Sequence, residues 1–151
     1  MSERTILLDV FAANQKRERL IEQALVGTDL PPEDYPFYVY IGVEGPLTPT
    51  ELARELGMPL STVLFRLRRL EKRRHVERVP NPDDGRSYLV RLTPAGERVL
   101  GFARPLFRGR ALAVEARLGE DRVAALRQSL DELGDAIERE LDDALREPAG
   151  N

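Results

Sequence analysis

Apolar residues recur along most of the chain at the three-to-four-residue spacing of amphipathic helices, which predicts a mainly helical protein. The predicted helices cover residues 3–26, 33–43, 48–56, about 60–73, a segment from 93 that ends before Gly119, and 120–146. Residues 76–79 and 88–92 instead alternate like half-buried strands. Between them, Asn-Pro-Asp-Asp-Gly favours a tight turn. We therefore expect a mainly α protein with one small β-hairpin (α+β).

The segment from Thr48 to Gly57 carries clear helix-boundary signals. Thr48-Pro49-Thr50-Glu51 places a hydroxyl at the N-cap, proline at the first helical position and glutamate at the third, which together form a capping box. Gly57 can end the helix because a positive φ costs glycine little. A second helix and the hairpin follow at once. The order helix, turn, helix, hairpin predicts a winged helix-turn-helix over residues 33–96, a fold that presents one helix to a DNA groove.

The second helix of this unit is strongly two-sided. Its apolar side holds Leu60, Val63, Leu64, Leu67 and Leu70. The remaining surface is basic, with two hydroxyls and one aromatic ring, and it supplies the candidate DNA-binding residues Ser61, Thr62, Phe65, Arg66, Arg68, Arg69 and Arg73. Arginine can bond the guanine edge, and an apolar side chain can meet the thymine methyl. The hairpin turn, or wing (about 80–88), adds Arg86, since an arginine at its tip can probe a minor groove.

Charge is distributed unevenly along the sequence. The chain has a net charge of −3, yet residues 60–91 hold nine basic and four acidic residues, a net +5. Residues from Gly119 to the end hold ten acids and four arginines, a net −6. A solvated surface usually mixes signs, so the local basic excess favours a double-stranded DNA partner for the middle of the chain. The acidic end is expected to contact protein.

The last predicted helix carries an uninterrupted seam of apolar residues. The seam residues Val123, Leu126, Leu130, Leu133 and Ile137 follow spacings of 3, 4, 3 and 4. Such a seam needs a partner helix. We therefore expect a homodimer formed by helices at residues 3–26 and 97–146, to which the first helix contributes Leu7, Val10 and Phe11.

Composition argues against an enzyme, a metalloprotein and a membrane protein. The sequence has no cysteine and a single histidine, His75, so a thiol redox switch and a typical metal site are not expected, and no cofactor is predicted. No apolar run approaches the roughly 20 residues of a membrane span, and no signal peptide is recognisable. We expect one cytoplasmic domain over residues 1–151.

Five stretches make the chain resemble the MarR family of bacterial transcription regulators. They are LARELG (52–57), LSTV (60–63), RLEKR (69–73), VER (76–78) and DDGRSYLVRLTPAG (83–96). The resemblance implies a homodimeric regulator, expected to be a repressor, that binds a pseudo-palindromic operator. It also implies that Asp84 orients the wing and that Arg86 enters the minor groove. Four positions depart from the family pattern. Arg74 stands where a glycine usually closes the recognition helix, Asn81 stands where aspartate is usual, and Leu64 and Phe65 stand where polar residues are common.

The resemblance also implies a small-molecule effector bound between the dimerisation helices and the winged region. Four aromatic residues lie at positions 35–40, and core packing is the alternative role for them. The candidate effector-binding residues are Phe11, Phe37, Tyr38 and Phe102, which favour an aromatic or amphipathic ligand. For Arg74, a left-handed backbone would cost about 1–2 kcal/mol, so we expect the recognition helix to end in another way.

Two other functions are compatible with parts of this pattern. A helical dimer whose winged region binds protein would need the same seam and the same fold. A protein that coats DNA without sequence preference would need the basic middle segment, but the overall acidity of the chain argues against it.

Overall fold

A computed structural model describes residues 4–146 as six helices and one hairpin. The elements are α1 (Ile6–Ala24), α2 (Tyr35–Val43), α3 (Pro49–Leu56), α4 (Leu60–Lys72), β1 (Val76–Pro80), β2 (Tyr88–Leu92), α5 (Pro94–Leu118) and α6 (Glu120–Arg146). Residue contacts divide the chain into two compact units, Met1–Arg110 and Ala111–Asn151. Among the described residues, no helix combines the length and the apolar character needed to cross a bilayer.

The hydrophobic core of the first unit lies between α2, α3, α4 and the hairpin. From α2, Phe37 and Tyr38 are fully buried, and so are Leu52 of α3 and Leu70 of α4. Val90 contributes from β2. The apolar side of each short helix therefore packs against the others, which fixes the orientation of α4.

Helix α3 has the boundaries that its sequence predicts. The Thr48 hydroxyl accepts a hydrogen bond from the Glu51 backbone N–H at 3.1 Å, while the Thr48 N–H donates to Glu51 Oε2 at 2.8 Å. These bonds complete the capping box. The hydrogen bonds that the Thr48 backbone N–H and hydroxyl donate to the Glu51 carboxylate lower the pKa of Glu51. Gly57 ends the helix with φ 60°. The turn between α3 and α4 is thus set locally.

Helix α4 ends differently from the sequence expectation. Arg74 does adopt the left-handed conformation, with φ 59°. The His75 N–H donates to the Leu70 carbonyl at 3.0 Å, and the Arg74 N–H donates to the Glu71 carbonyl at 2.9 Å. This pair of bonds is a Schellman motif. The Arg74 carbonyl in turn accepts from the Thr93 hydroxyl at 2.6 Å, so these contacts offset the strain that led us to expect another ending.

The hairpin is confirmed as an antiparallel pair, with Val76 opposite Leu92 and Pro80 opposite Tyr88. Leu47 forms a bridge to Val90, which joins the hairpin to the start of α3. Helix α5 then begins at Pro94, close to the end of α4. A side chain at Gly96 would place its Cβ 2.1 Å from the His75 carbonyl oxygen, so glycine is required for this approach.

The two long helices of the sequence prediction are present. Helix α5 runs through Pro105 to Leu118, and Gly119 separates it from α6 with φ 85°. Within the second unit, Arg127 of α6 pairs with Glu115 of α5 at 2.7 Å. No residue of α6 is buried. The single domain over residues 1–151 stays a prediction.

Candidate nucleic-acid interface

Helix α4 presents a polar and basic surface to solvent. Val63, Leu67 and Leu70 are buried, as predicted, whereas Leu60 is exposed and Leu64 is only half-buried. The residues that were predicted to contact DNA and are exposed here are Ser61, Thr62, Phe65, Arg68 and Arg69 of this helix, together with Arg73, which follows its last residue. Phe65 is 57% exposed. An aromatic side chain that is more than half exposed among cations is available to a partner.

Arg66 differs from the other candidates because it belongs to a buried ion pair. Its Nη1 donates to Oδ1 of Asp34 at 3.0 Å, and its side chain is only 22% exposed. Arg73 is partly engaged as well, since its Nη2 donates to the Asp29 carbonyl at 2.6 Å. Both partners lie in the connection between α1 and α2. Arg66 is thus held against the protein rather than extended to solvent, and its predicted contact with DNA stays a prediction.

Asp34, which is 1% exposed, is absent from the site residues that the sequence predicts. The only local signal is its position one residue before the apolar run that starts at Tyr35. A carboxylate at such a boundary is ordinarily solvated. Its burial depends on arginines 32 and 35 residues further along the chain, which no local pattern reveals.

The wing places Arg86 at an exposed position in the turn after β1. The Arg86 backbone N–H donates to Oδ1 of Asp84 at 2.9 Å, and Asn81 donates to the Ser87 hydroxyl at 2.7 Å. Asp84 therefore stabilises the turn itself. Arg78, the arginine of β1, pairs with Glu71 rather than with Asp84.

Arg78 connects the hairpin to the recognition helix. Its guanidinium donates to both carboxylate oxygens of Glu71, at 2.5 and 3.2 Å, and it lies 4.4 Å from the centre of the Tyr88 ring. The hydrogen bond to Glu71 raises the pKa of Arg78. This bidentate contact fixes the base of the wing relative to α4 and removes one cation from the surface available to DNA.

The predicted dimerisation residues expose much apolar surface. In α6, Leu130 is 61% and Ile137 42% exposed, Leu126 is 37% exposed, and Val123 and Leu133 are half-buried. In α1, Leu7, Val10 and Phe11 are 55%, 37% and 61% exposed. Several large apolar side chains exposed on one helix are typical of a surface that binds another protein.

The four candidate effector residues are not equivalent. Phe37 and Tyr38 are fully buried core residues, because they form the apolar centre of α2. Phe11 and Phe102 are exposed, at 61% and 62%. Phe102 borders an open cavity of about 410 Å³, which is also lined by Gly27, Thr28, Asp29, His75, Ala95, Arg98 and Val99. That lining contains none of the other three candidates, so a site formed by all four is not observed.

Tyr38 reaches this region through its hydroxyl. The hydroxyl lies 2.6 Å from Nδ1 of His75. Burial raises the pKa of Tyr38 to about 12. The charge of Arg73 lowers this pKa slightly, and the charge of Asp34 raises it slightly. Burial, reinforced by the charge of Arg73, lowers the pKa of His75. Neutral forms of both groups are therefore favoured at pH 7. No cluster suited to a metal ion occurs within residues 4–146.

Residues 28–87 match the model of the MarR family. The Multiple antibiotic resistance protein MarR of Salmonella typhimurium is 34% identical over 90 residues, which are 60% of this chain and 62% of that protein. The crystal structure of a mutant MarR from Escherichia coli complexed with operator DNA has a TM-score of 0.72 and 30% identity, and the similarity covers 82% of this chain and 89% of that one. The chain belongs to the MarR family.

A second solved structure is similar over most of the chain. A probable transcriptional regulator from Pseudomonas aeruginosa has a TM-score of 0.74 and 30% identity, with 87% of this chain and 98% of that chain covered. The match to the curated Salmonella relative, by contrast, spans less than two thirds of that protein. Family membership confirms the predicted winged-helix fold and the prediction that the chain is not an enzyme.

Proposed function

We propose that the chain is a transcription regulator that binds double-stranded DNA through α4 and the wing. The observation that carries the proposal is the exposed basic surface of α4 in an otherwise acidic chain. Phe65, Arg68, Arg69 and Lys72 are exposed on this helix, which the core holds rigidly. Neutralisation of phosphates by such cations supplies most of the sequence-independent affinity for DNA. The related E. coli protein crystallised with operator DNA supports the same use of the fold.

The proposed active form is a homodimer. Its interface consists of the exposed apolar residues of α6 together with those of α1, and residues 33–96 form the DNA-binding region. Two copies related by a two-fold axis would read two half-sites, so the operator is pseudo-palindromic. A dimer that occludes a promoter acts as a repressor.

A small aromatic or amphipathic effector completes the proposal. Phe102 and Phe11 are the candidates that offer an exposed ring. The cavity beside Phe102 also carries the charged side chains of Asp29 and Arg98 and the ring of His75. Tyr38 is fully buried and does not line the cavity, so it is connected to the cavity only through the hydrogen bond of its hydroxyl to His75.

Selection from a random duplex pool, followed by binding over a salt series, tests the DNA-binding proposal. Wild type should enrich one pseudo-palindromic sequence, with affinity that falls as salt rises. Arg68→Ala should weaken binding to all duplexes and reduce the salt slope by about one unit. Arg139→Ala, which removes an exposed arginine of the acidic helix α6, is the control and should bind like wild type. Failure to enrich any sequence would instead support a protein-interaction module.

A further inference from the structure

Asp34 is the only charged side chain that is buried within residues 4–146. It occupies the N-cap position of α2 but makes no capping hydrogen bond with its side chain. Oδ1 accepts from Arg66, whereas Oδ2 is buried and has no hydrogen-bond partner. Burial of a carboxylate costs several kcal/mol unless opposite charges compensate. The arrangement therefore points to a second cation for Oδ2.

Arg69 is that second cation. Its Nη2 lies 4.0 Å from Oδ2 of Asp34, which is within ion-pair range but too long for a hydrogen bond. The Arg69 side chain is 44% exposed, twice the exposure of Arg66. Asp34 thus contacts one arginine that is fixed against the protein and one that extends to solvent.

The side of α4 that carries these arginines faces the connection between α1 and α2. Arg66, Arg69 and Arg73 follow a spacing of three and four residues, so they share one side of the helix. Phe65, Arg68 and Lys72 lie on the exposed surface beside it. Arg69 therefore stands at the boundary between the acidic connection and the surface proposed to meet DNA.

We propose that Asp34 is a positioning residue for DNA recognition, which withholds Arg66 from DNA and orients the guanidinium of Arg69 toward a guanine. The inference rests on the proposed function. A guanidinium has five N–H donors in a planar fork, so one edge can bind Oδ2 while another donates to O6 and N7 of guanine. A guanidinium fixed in advance loses less side-chain entropy on binding. Asp34 would therefore increase discrimination among sequences more than it increases overall affinity.

The alternative role for Asp34 is purely structural, as an ion pair that ties α4 to α2. That role predicts a lower free energy of unfolding for Asp34→Asn and equal changes in affinity for all duplexes. The ratio of affinities for two duplexes separates the roles, because a structural defect that reduces the amount of competent protein cancels from the ratio.

The experiment measures affinity for the duplex selected by wild type and for a random duplex of equal length, at one salt concentration. Asp34→Asn and Arg69→Lys should each lower the ratio of the affinity for the selected duplex to the affinity for the random duplex. The expected decrease is on the order of tenfold, which is the discrimination expected of one arginine–guanine contact. The double variant should lose no more than either single variant, because both remove the same contact. Glu33→Gln is the matched control. It removes the same charge from the neighbouring residue, whose side chain is 48% exposed and lies 3.6 Å from Arg66.

The inference would be overturned if Asp34→Asn and Glu33→Gln had the same ratio of affinities for the two duplexes. It would also be overturned if the losses of discrimination by the two single variants added up in the double variant. If Asp34→Asn does not fold, Arg69→Lys and Arg68→Lys decide, because Arg68 has no ion-pair partner in the described part of the chain. Arg69→Lys must then lose more discrimination than Arg68→Lys, and the reverse order would overturn the inference. A wild-type protein that enriches no sequence would contradict the proposed function itself, which is a separate result.

Discussion

Arg74 is the one non-glycine residue with a positive φ between residues 4 and 146. The backbone there is fixed by its neighbours: the Schellman bonds close α4, and the Thr93 hydroxyl binds the Arg74 carbonyl. None of these bonds uses the arginine side chain, which is exposed. The strained backbone of Arg74 is thus part of the junction between α4 and β1.

Arg74→Gly should raise the free energy of unfolding by up to about 1 kcal/mol, because glycine adopts a positive φ without steric cost. Urea unfolding would measure the change. Arg68→Gly is the matched control: Arg68 is an exposed residue in the interior of α4, so glycine should destabilise there by about 1 kcal/mol. Equal destabilisation by both substitutions would contradict a strained Arg74.

His75 should make stability depend on pH. Burial and the charge of Arg73 lower its pKa below the ordinary 6.5, so the unfolded chain binds a proton that the folded chain resists. The contribution of His75 to stability is therefore present above pH 6.5 and is lost as the pH falls through the lower, folded-state pKa. His75→Gln should reduce the loss of unfolding free energy on acidification, as measured by urea unfolding above and below pH 6.5. Since the chain has one histidine, an unchanged pH dependence in this variant would rule out the effect.

Arg86→Ala should leave the melting temperature nearly unchanged, because the turn uses only the backbone N–H of this residue. On the proposed function, it should cost operator affinity on the order of 1–3 kcal/mol, and most where A·T-rich flanks narrow the minor groove. Titration of operators with A·T-rich and G·C-rich flanks measures both effects. Wild-type affinity of the variant on both operators would show that the wing does not touch DNA.

At the scale of elements, α4 combines a packed side, a side tied to the α1–α2 connection and an exposed surface. Phe65 lies on the exposed surface without contributing to the core. Phe65→Ala should therefore preserve stability and weaken binding to the selected duplex more than to a random duplex, since a thymine methyl is the expected apolar contact. Competition titrations and thermal unfolding would measure the two effects. Equal losses on both duplexes would assign Phe65 a role without base preference.

The sequence predicted those features well whose signals lie within a few neighbouring residues. Thr48 and Glu51 lie within one helical turn, so the capping box could be recognised from their spacing alone. The Asp-Asp-Gly turn likewise required only neighbouring residues. The contacts of Asp34 with Arg66 and of Glu71 with Arg78 could not be predicted, because they depend on how α2, α4 and β1 pack. The same limit affected the effector residues, since spacing could not show that the Phe37 and Tyr38 rings are buried.

At the scale of the molecule, most of the leucine and isoleucine side chains of α6 are exposed within the described chain. Leu130→Asp with Leu133→Asp should therefore abolish dimerisation and operator binding, because two carboxylates cannot be buried in an apolar helix interface. Sedimentation and DNA titration would measure the losses. Leu145→Asp is the control: this leucine is 75% exposed and lies out of phase with the seam, so the variant should remain dimeric.

A wild-type chain that sediments as a monomer at micromolar concentration and still binds its selected duplex tightly would contradict the proposed dimer. If Leu145→Asp dissociates as much as the variant with Leu130→Asp and Leu133→Asp, the interface would extend beyond the predicted seam to the end of α6.

If the exposed leucines of α6 form the dimer interface, as proposed, DNA binding and stability should both depend on protein concentration. Because a dimer forms in proportion to the square of the free monomer concentration, operator occupancy by the proposed dimer rises steeply with copy number when the protein is scarce. The melting temperature should rise with protein concentration for the same reason. A cell that dilutes the protein by growth would then lose occupancy faster than it loses protein, without any ligand.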